Sequence, residues 1–192
     1  MLSLAGMRQP RYQLRAHRHH AQRLPKSIKA YKPRGIVQID TVCVLAGPQS
    51  RIKHFNAYIP VAKWTFGKAF RRATVAAAKD FLAKVIADMS FKIEAVQIDG
   101  GSKFKAEFED ACKARGIFLY ELRPKSPKLN GAWRYEFYAV YNIPPQVDQI
   151  SPLFDSYQSI YNHHRPHGVI GGMTPASYFR QRTQGDAASQ MS

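Results

Sequence analysis

Ala95-Val-Gln-Ile-Asp-Gly-Gly-Ser-Lys-Phe104 opens as a short apolar run, reaches one carboxylate at Asp99 and then breaks on two glycines. A short apolar run bounded by glycine is typical of a buried strand. A carboxylate at the end of such a strand lies at the rim of the sheet. There the two glycines allow the backbone to turn and a ligand to approach. The stretch therefore predicts a buried strand that ends in a candidate binding residue.

The letters Val-Gln-Ile-Asp occur twice in the chain, at 37–40 and again at 96–99. Each copy is an apolar segment with one aspartate, Asp40 in the first and Asp99 in the second. Two aspartates on adjacent strands of one sheet can converge on a divalent metal ion, because such ions prefer hard oxygen ligands. The alternative is that each aspartate only caps a turn. The duplication favours the metal site.

The composition is that of a globular and strongly basic protein. The 192 residues are 45% hydrophobic and 12% aromatic, which excludes wholesale disorder and suits one domain with a substantial core. The net charge of +16 favours polyanionic partners, most simply nucleic acid. A ribosome-like or merely soluble basic surface is the alternative, and charge alone does not decide. Cys43 and Cys112 have no second-pair spacing, so we expect reduced core residues of a cytoplasmic protein.

Residues 1–35 form a separate zone without one acidic residue, since the first acidic residue of the chain is Asp40. The zone has few large apolar residues and three prolines, so we predict a basic, largely unstructured arm that orders on a phosphate backbone. Its basic residues are Arg8, Arg11, Arg15, Arg18, Arg23, Lys26, Lys29, Lys32 and Arg34.

Residues 36–182 carry the periodicity of a folded α/β domain, and 183–192 are expected to be a disordered tail. Apolar alternation and turn residues predict three strands, a helix capped by Thr74, a strand, a helix capped by Ser102 and ended by Gly116, and a further strand. The predicted strands are 36–45, 52–59, 61–70, 93–99 and 117–122. This order indicates a mixed sheet flanked by helices. Two more helices are predicted after a basic loop and an aromatic stretch.

Four motifs in order resemble the integrase catalytic core of the DDE insertion-sequence transposases, which are related to retroviral integrases. The similar region runs from roughly Leu24 to Phe179. The motifs are Gln38-Ile-Asp40, Gln97-Ile-Asp-Gly-Gly-Ser-Lys-Phe104, Ser126-Pro-Lys-Leu-Asn-Gly131, and Tyr161-Asn-His-His-Arg-Pro-His167 with Thr174-Pro175. The resemblance implies a ribonuclease H-like fold with a mixed five-stranded sheet. It also implies cutting and joining of DNA strands, with transposon ends and target DNA as partners, and homo-oligomers on the nucleoid of a prokaryote.

The resemblance implies two divalent ions, Mg²⁺ or Mn²⁺, held by two aspartates and one glutamate. Asp40 matches the first position and Asp99 the second, but arginine stands at 134, where the glutamate is expected. Glu136 is the nearest carboxylate, about 200° around a helix axis from 134. Either a shifted helix register recruits Glu136, or a short segment that held the glutamate is missing after Ala132. The direct junction of Asn-Gly-Ala to Trp-Arg-Tyr motivates the second interpretation.

Further positions bear on the activity. Where the family usually has Asp-Asn-Gly-Ser-Glu-Phe, this chain has Gly100 and Lys103, and a lysine there would screen the aspartates and weaken metal binding. The basic loop supplies four candidate nucleic-acid contacts: Arg123, Lys125, Lys128 and Asn130. The alternative is a plain solvated loop.

Three functional hypotheses follow. They are a metal-dependent strand transferase, a DNA-binding transposase remnant without chemistry, and a generic basic nucleic-acid-binding protein, which the ordered motifs disfavour.

Overall fold

The computed structural model describes residues 35–47, 50–89, 91–121 and 131–189, with side chains as far as 182. Within these residues the chain forms five strands and four α-helices. The strands are β1 (Ile36–Leu45), β2 (Arg51–Ile59), β3 (Trp64–Phe70), β4 (Ala95–Ile98) and β5 (Phe118–Glu121). The α-helices are α1 (Val75–Asp88), α2 (Glu107–Lys113), α3 (Val147–His163) and α4 (Pro175–Ser189). The predicted order of elements is confirmed.

The five strands form one mixed sheet in the order β3-β2-β1-β4-β5. Strand β2 runs antiparallel to both of its neighbours, β1 and β3, because short turns connect them. Strands β4 and β5 run parallel to β1, because α1 and α2 provide the crossovers that parallel pairing requires. The mixed five-stranded sheet predicted from the sequence is therefore confirmed.

Each face of the sheet is covered by its own apolar cluster. On one face, residues such as Val37, Ile39 and Ile98 pack with α1 and α2. On the other face, Ile52 and Ala69 pack with α3 and with an aromatic segment that precedes it. Because strand side chains alternate between the faces, β2 and β3 contribute residues to both clusters. Helices on both faces make this a three-layer α/β domain.

Helix α1 begins as the sequence predicts, with the Thr74 side chain accepting a hydrogen bond from the backbone N–H of Ala77 at 3.1 Å. The prediction of one continuous helix from Ser102 is wrong. A short 3₁₀ turn covers Ser102–Phe104, and α2 starts only at Glu107, because Ala106 adopts a φ of 49° between them. A residue in this left-handed region interrupts helical hydrogen bonding. Gly116, with φ of 65°, ends α2 as predicted.

Two further expectations need correction. Cys112 is buried as predicted, but Cys43 is exposed, because it lies in the last part of β1, close to the strongly exposed Leu45. Helix α4 continues to Ser189, so the backbone is helical over part of the segment expected to be a disordered tail. Once a helix is nucleated, adding each further residue costs little. No helix in the described ranges is both long and apolar enough to cross a bilayer.

The free edge of β3 is protected by side chains of α3. Asn162 donates to the carbonyl of Thr65 at 2.7 Å and accepts from the N–H of the same residue at 3.0 Å. Gln158 accepts from the N–H of Gly67 at 2.8 Å. Backbone groups of an edge strand otherwise invite pairing with another chain. Helix α3 is thereby fixed against the sheet by polar bonds as well as by its apolar face.

Candidate active site

The duplicated Val-Gln-Ile-Asp motif is a structural repeat as well as a sequence repeat. Strands β1 and β4 pair in parallel with Val37 opposite Val96 and Gln38 opposite Gln97. The Gln38 side chain donates a hydrogen bond to the Gln97 side chain across the pair. Asp40 and Asp99 each follow two residues beyond their paired glutamine. This register brings both aspartates to the same end of the paired strands, Asp40 within β1 and Asp99 directly after β4.

Asp40 lies within β1 and is half-buried. Its Oδ1 accepts a hydrogen bond from the N–H of Thr41 at 2.7 Å. Across the antiparallel pair it stands opposite Asn56, which is buried. The backbone of the central strand therefore fixes the position of this carboxylate.

Asp99 lies directly after β4, where the chain turns at Gly100 with φ of 74°. Its Oδ1 accepts from the N–H of Gly101 at 3.0 Å. The ammonium of Lys103 lies 3.5 Å from both carboxylate oxygens. The Lys103 side chain is only 13% exposed, against 44% for Asp99. The rim position predicted for Asp99 is correct, and a lysine ammonium contacts the carboxylate.

Glu136 is paired with an arginine, whereas its recruitment as the third metal ligand would require its carboxylate to bind a divalent ion. It lies in a π-helical segment, Trp133–Phe137, closed by a hydrogen bond from the N–H of Tyr138 to the carbonyl of Trp133 at 2.9 Å. Its Oε2 forms an ion pair with Nη1 of Arg165 at 2.7 Å, and both side chains are 39% exposed. The carboxylate thus already has a cationic partner, which follows the end of α3.

The ion pair of Glu136 and Arg165 lies beside two tyrosines, Tyr157 and Tyr161. The Arg165 guanidinium lies 4.9 Å from the centre of the Tyr161 ring, at a distance suited to a cation–π interaction. Burial raises the pKa of Tyr157 and of Tyr161, and the nearby Glu136 carboxylate raises both further. These tyrosines are neutral at physiological pH, so Arg165 is the group that balances the charge of Glu136.

The π-helical segment is anchored by Trp133, which is 1% exposed. Its indole N–H donates to Oδ1 of Asn56 at 3.0 Å and to Oγ1 of Thr65 at 2.8 Å. A Cβ on Gly67 would lie 2.6 Å from the indole ring and 2.6 Å from Nε2 of His54, so only glycine fits beneath the ring. Trp133 is a core residue, and it contacts Asn56, which stands opposite Asp40.

The residues present do not fit a two-metal cage. Such a cage needs several carboxylates that can give their oxygens to the ions. Asp99 is in contact with the Lys103 ammonium, and Glu136 is paired with Arg165. In the described part of the chain, no group of three or more His, Cys, Asp or Glu side chains is placed to hold a metal ion.

The candidate nucleic-acid contacts Arg123, Lys125, Lys128 and Asn130 lie outside the described residues, as does the basic arm over 1–34. Sequence reasoning identified Asp40, Asp99 and Lys103 but missed Arg165 as the partner of Glu136. The available signal was the arginine within His163-His-Arg-Pro-His167, because a cation in this polar segment can pair with a carboxylate of a neighbouring segment.

Neither a protein-family model nor a curated protein matches the sequence. Solved structures do match. The catalytic core domain of BIV integrase superimposes with a TM-score of 0.62 at 16% identity, over 79% of this chain and 97% of that chain. The fold is ribonuclease H-like. A chain from the cryoEM structure of the simian T-cell lymphotropic virus intasome in complex with PP2A regulatory subunit B56 gamma superimposes with a TM-score of 0.59 at 17% identity.

That second match covers 77% of this chain and 53% of the intasome chain, so this chain spans about half the length of that relative. At these identities the two matches establish the fold. The five-stranded mixed sheet with helices on both faces is therefore the architecture of an integrase catalytic core.

Proposed function

We propose that this chain is the core of a DNA transposition or integration protein of the DDE type, which binds DNA without cutting it. The observation that carries the proposal is the register of β1 and β4, which aligns the two Val-Gln-Ile-Asp motifs on adjacent strands of an integrase-type sheet. Two aspartates aligned in this way are a reason to infer descent from a metal-dependent strand transferase.

The proposed loss of strand cutting rests on charge. Phosphodiester transfer needs an activated attacking oxygen and a stabilised leaving oxygen, and two bound divalent ions supply both. Here Lys103 contacts Asp99, and Arg165 is paired with Glu136. Neutralised carboxylates are poor ligands for a divalent cation, because the cation must displace an ammonium or a guanidinium. A missing segment after Ala132 that held the third carboxylate is consistent with this proposal.

The proposed DNA affinity rests on the excess of positive charge, +16 over the whole chain. Lysine and arginine bind phosphates and release condensed counterions, whatever the base sequence. We place these contacts in the basic arm of residues 1–35 and in the loop that contains Arg123, Lys125, Lys128 and Asn130. Binding of this kind is strongly salt-dependent.

We expect the triple change of Arg123, Lys125 and Lys128 to glutamine to weaken binding to duplex DNA. If all three contact phosphates, the negative slope of log affinity against log salt concentration becomes shallower by about 2 to 3. Fluorescence anisotropy with a labelled duplex over a salt series measures this slope. The matched control changes three exposed lysines elsewhere, Lys84, Lys92 and Lys113, to glutamine. Equal slopes for both triple variants would place the DNA contacts outside this loop, and no DNA binding by the unchanged chain would refute the proposed function.

The second candidate function is metal-dependent strand transfer with Asp40, Asp99 and a recruited Glu136. It is favoured by one observation, the parallel register that aligns the two Val-Gln-Ile-Asp motifs, each of which ends in an aspartate. It requires Glu136 to leave Arg165 and Asp99 to leave Lys103 when DNA and metal bind. Its test is strand cutting in the presence of Mn²⁺, with Asp99→Asn and Glu136→Gln as variants. Both substitutions must abolish cutting for this candidate to hold.

A further inference from the structure

We infer that Lys103 is a counter-cation for Asp99 supplied by the same chain. Its ammonium occupies the position beside the Asp99 carboxylate at which a divalent metal ion would bind. The inference deepens the proposed function and rests on it in taking Asp40 and Asp99 as the remainder of a metal site. Its basis is the contact between one ammonium and both oxygens of one carboxylate, at 3.5 Å each. An ammonium that lies equally close to both carboxylate oxygens hinders a metal ion from binding to those oxygens.

The local backbone is built to return Lys103 to Asp99. Gly100 turns the chain with φ of 74°, and the 3₁₀ turn Ser102–Phe104 brings residue 103 back over residue 99. A Cβ on Gly101 would lie 2.6 Å from Nζ of Lys103, so the ammonium occupies space that any other residue at 101 would fill. Gly101 thus leaves room for a cation from the same chain, whereas a Cβ on Gly100 would lie 3.0 Å from Oε2 of Glu121.

The surroundings of the ammonium hold it in place. Nζ lies 4.4 Å from the centre of the Phe104 ring, and Phe104 is fully buried. A cation over an aromatic face is attracted to the ring, more strongly when water is partly excluded. The Lys103 side chain is only 13% exposed, and a charge removed from water is stable there only if it is paired. Asp99 is that partner.

A divalent ion at Asp99 would then meet a like charge at close range. It must either displace the ammonium, which costs the ion pair and the aromatic contact, or bind beside it against electrostatic repulsion. Both routes weaken metal binding. The same reasoning predicts that removal of the Lys103 charge uncovers a divalent-cation site at Asp99.

Mn²⁺ alone is the probe for the test, with the full chain and without DNA. We expect Lys103→Gln and Lys103→Met each to raise Mn²⁺ affinity by about tenfold or more over the unchanged chain, as measured by electron paramagnetic resonance of free Mn²⁺. Methionine keeps an unbranched apolar stem for the Phe104 ring, so it preserves packing if glutamine does not. Adding Asp99→Asn should remove the gain. The control Lys92→Gln removes the same charge from an exposed lysine before β4 and should leave the affinity unchanged.

A second measurement uses the unchanged chain. Paramagnetic broadening of the amide signals of Gly100 and Gly101 during a Mn²⁺ titration reports whether the ion reaches Asp99. We expect little broadening in the unchanged chain and strong broadening in the Lys103 variants. Equal broadening in all of them, or an equal gain of affinity in Lys92→Gln, overturns the inference. DNA binding measured on the same variants separates this inference from the proposed function. If the unchanged chain does not bind DNA, the proposed function is refuted, whereas the effect of Lys103 on Mn²⁺ affinity is not.

Discussion

Replacement of Trp133 by alanine is expected to lower the free energy of unfolding by about 3 to 5 kcal/mol. The side chain is 1% exposed and contacts the rings of His54, Phe154 and Tyr157 at centroid distances of 4.4 to 4.9 Å. Its removal leaves a large cavity between α3 and the sheet. It also takes the indole donor away from buried Asn56. A loss of this size is a large part of the stability of a typical domain. Urea unfolding followed by circular dichroism measures it.

Two matched variants separate the contributions of Trp133. Trp133→Phe keeps an aromatic ring but removes the indole N–H, so we expect a smaller loss, of roughly 1 to 2 kcal/mol. Tyr135→Ala changes a neighbour that is 72% exposed and should alter stability by less than about 0.5 kcal/mol. A loss below about 1 kcal/mol for Trp133→Ala would contradict the packing of the π-helical segment against the sheet.

Stability should also fall steeply in mild acid because of His54. Burial lowers the pKa of this histidine from 6.5 to about 3. Between these values the unfolded chain binds a proton that the folded chain does not, so the free energy of unfolding rises with pH there. As the pH falls from about 6 to about 4, His54 alone should remove about 1.4 kcal/mol per pH unit. Unfolding by urea at a series of pH values measures the slope.

The reference for this slope is His54→Gln, which cannot take up a proton. Carboxylates and other histidines, including His167, whose pKa is also lowered by burial, contribute equally to both proteins. The difference between the two slopes therefore isolates His54. In the folded chain Nδ1 of His54 lies 2.7 Å from the Tyr138 hydroxyl, and the ring packs between Trp133 and Phe154. Identical slopes would show that the ring is accessible to protons.

The sequence could predict much of the fold because its local signals are strong and agree with one another. Apolar runs and turn residues predicted all five strands, and the helices between them predicted a mixed sheet. The repeated motif identified both aspartates. Its register in the sheet follows from the same pattern, since each copy buries its valine and isoleucine on one face. For these residues, local pattern and tertiary packing impose the same arrangement.

The remaining features depend on contacts that no local pattern encodes. The pairing of Glu136 with Arg165 joins a segment before α3 to the turn after it. The break at Ala106 separates two fully buried phenylalanines, Phe104 and Phe108, whose rings are 5.1 Å apart. A spacing of four residues is that of one helical face, but it could not predict that a 3₁₀ turn and a separate helix would bring the two rings together. In both cases tertiary contacts decide between local alternatives.

Strand cutting is the most direct test of the proposal that the chain binds DNA without cutting it. Supercoiled plasmid is incubated with the chain and Mn²⁺, and binding and nicking are followed on the same DNA. Asp99→Asn and Glu136→Gln serve as negative references. The positive reference combines Lys103→Gln with an insertion after Ala132 of Val-Glu-Arg, the helix start that carries the third carboxylate in the family that the chain resembles. We expect the unchanged chain to bind the plasmid but to nick it no faster than Asp99→Asn does. Nicking by the unchanged chain that is lost in both Asp99→Asn and Glu136→Gln would contradict the proposed function.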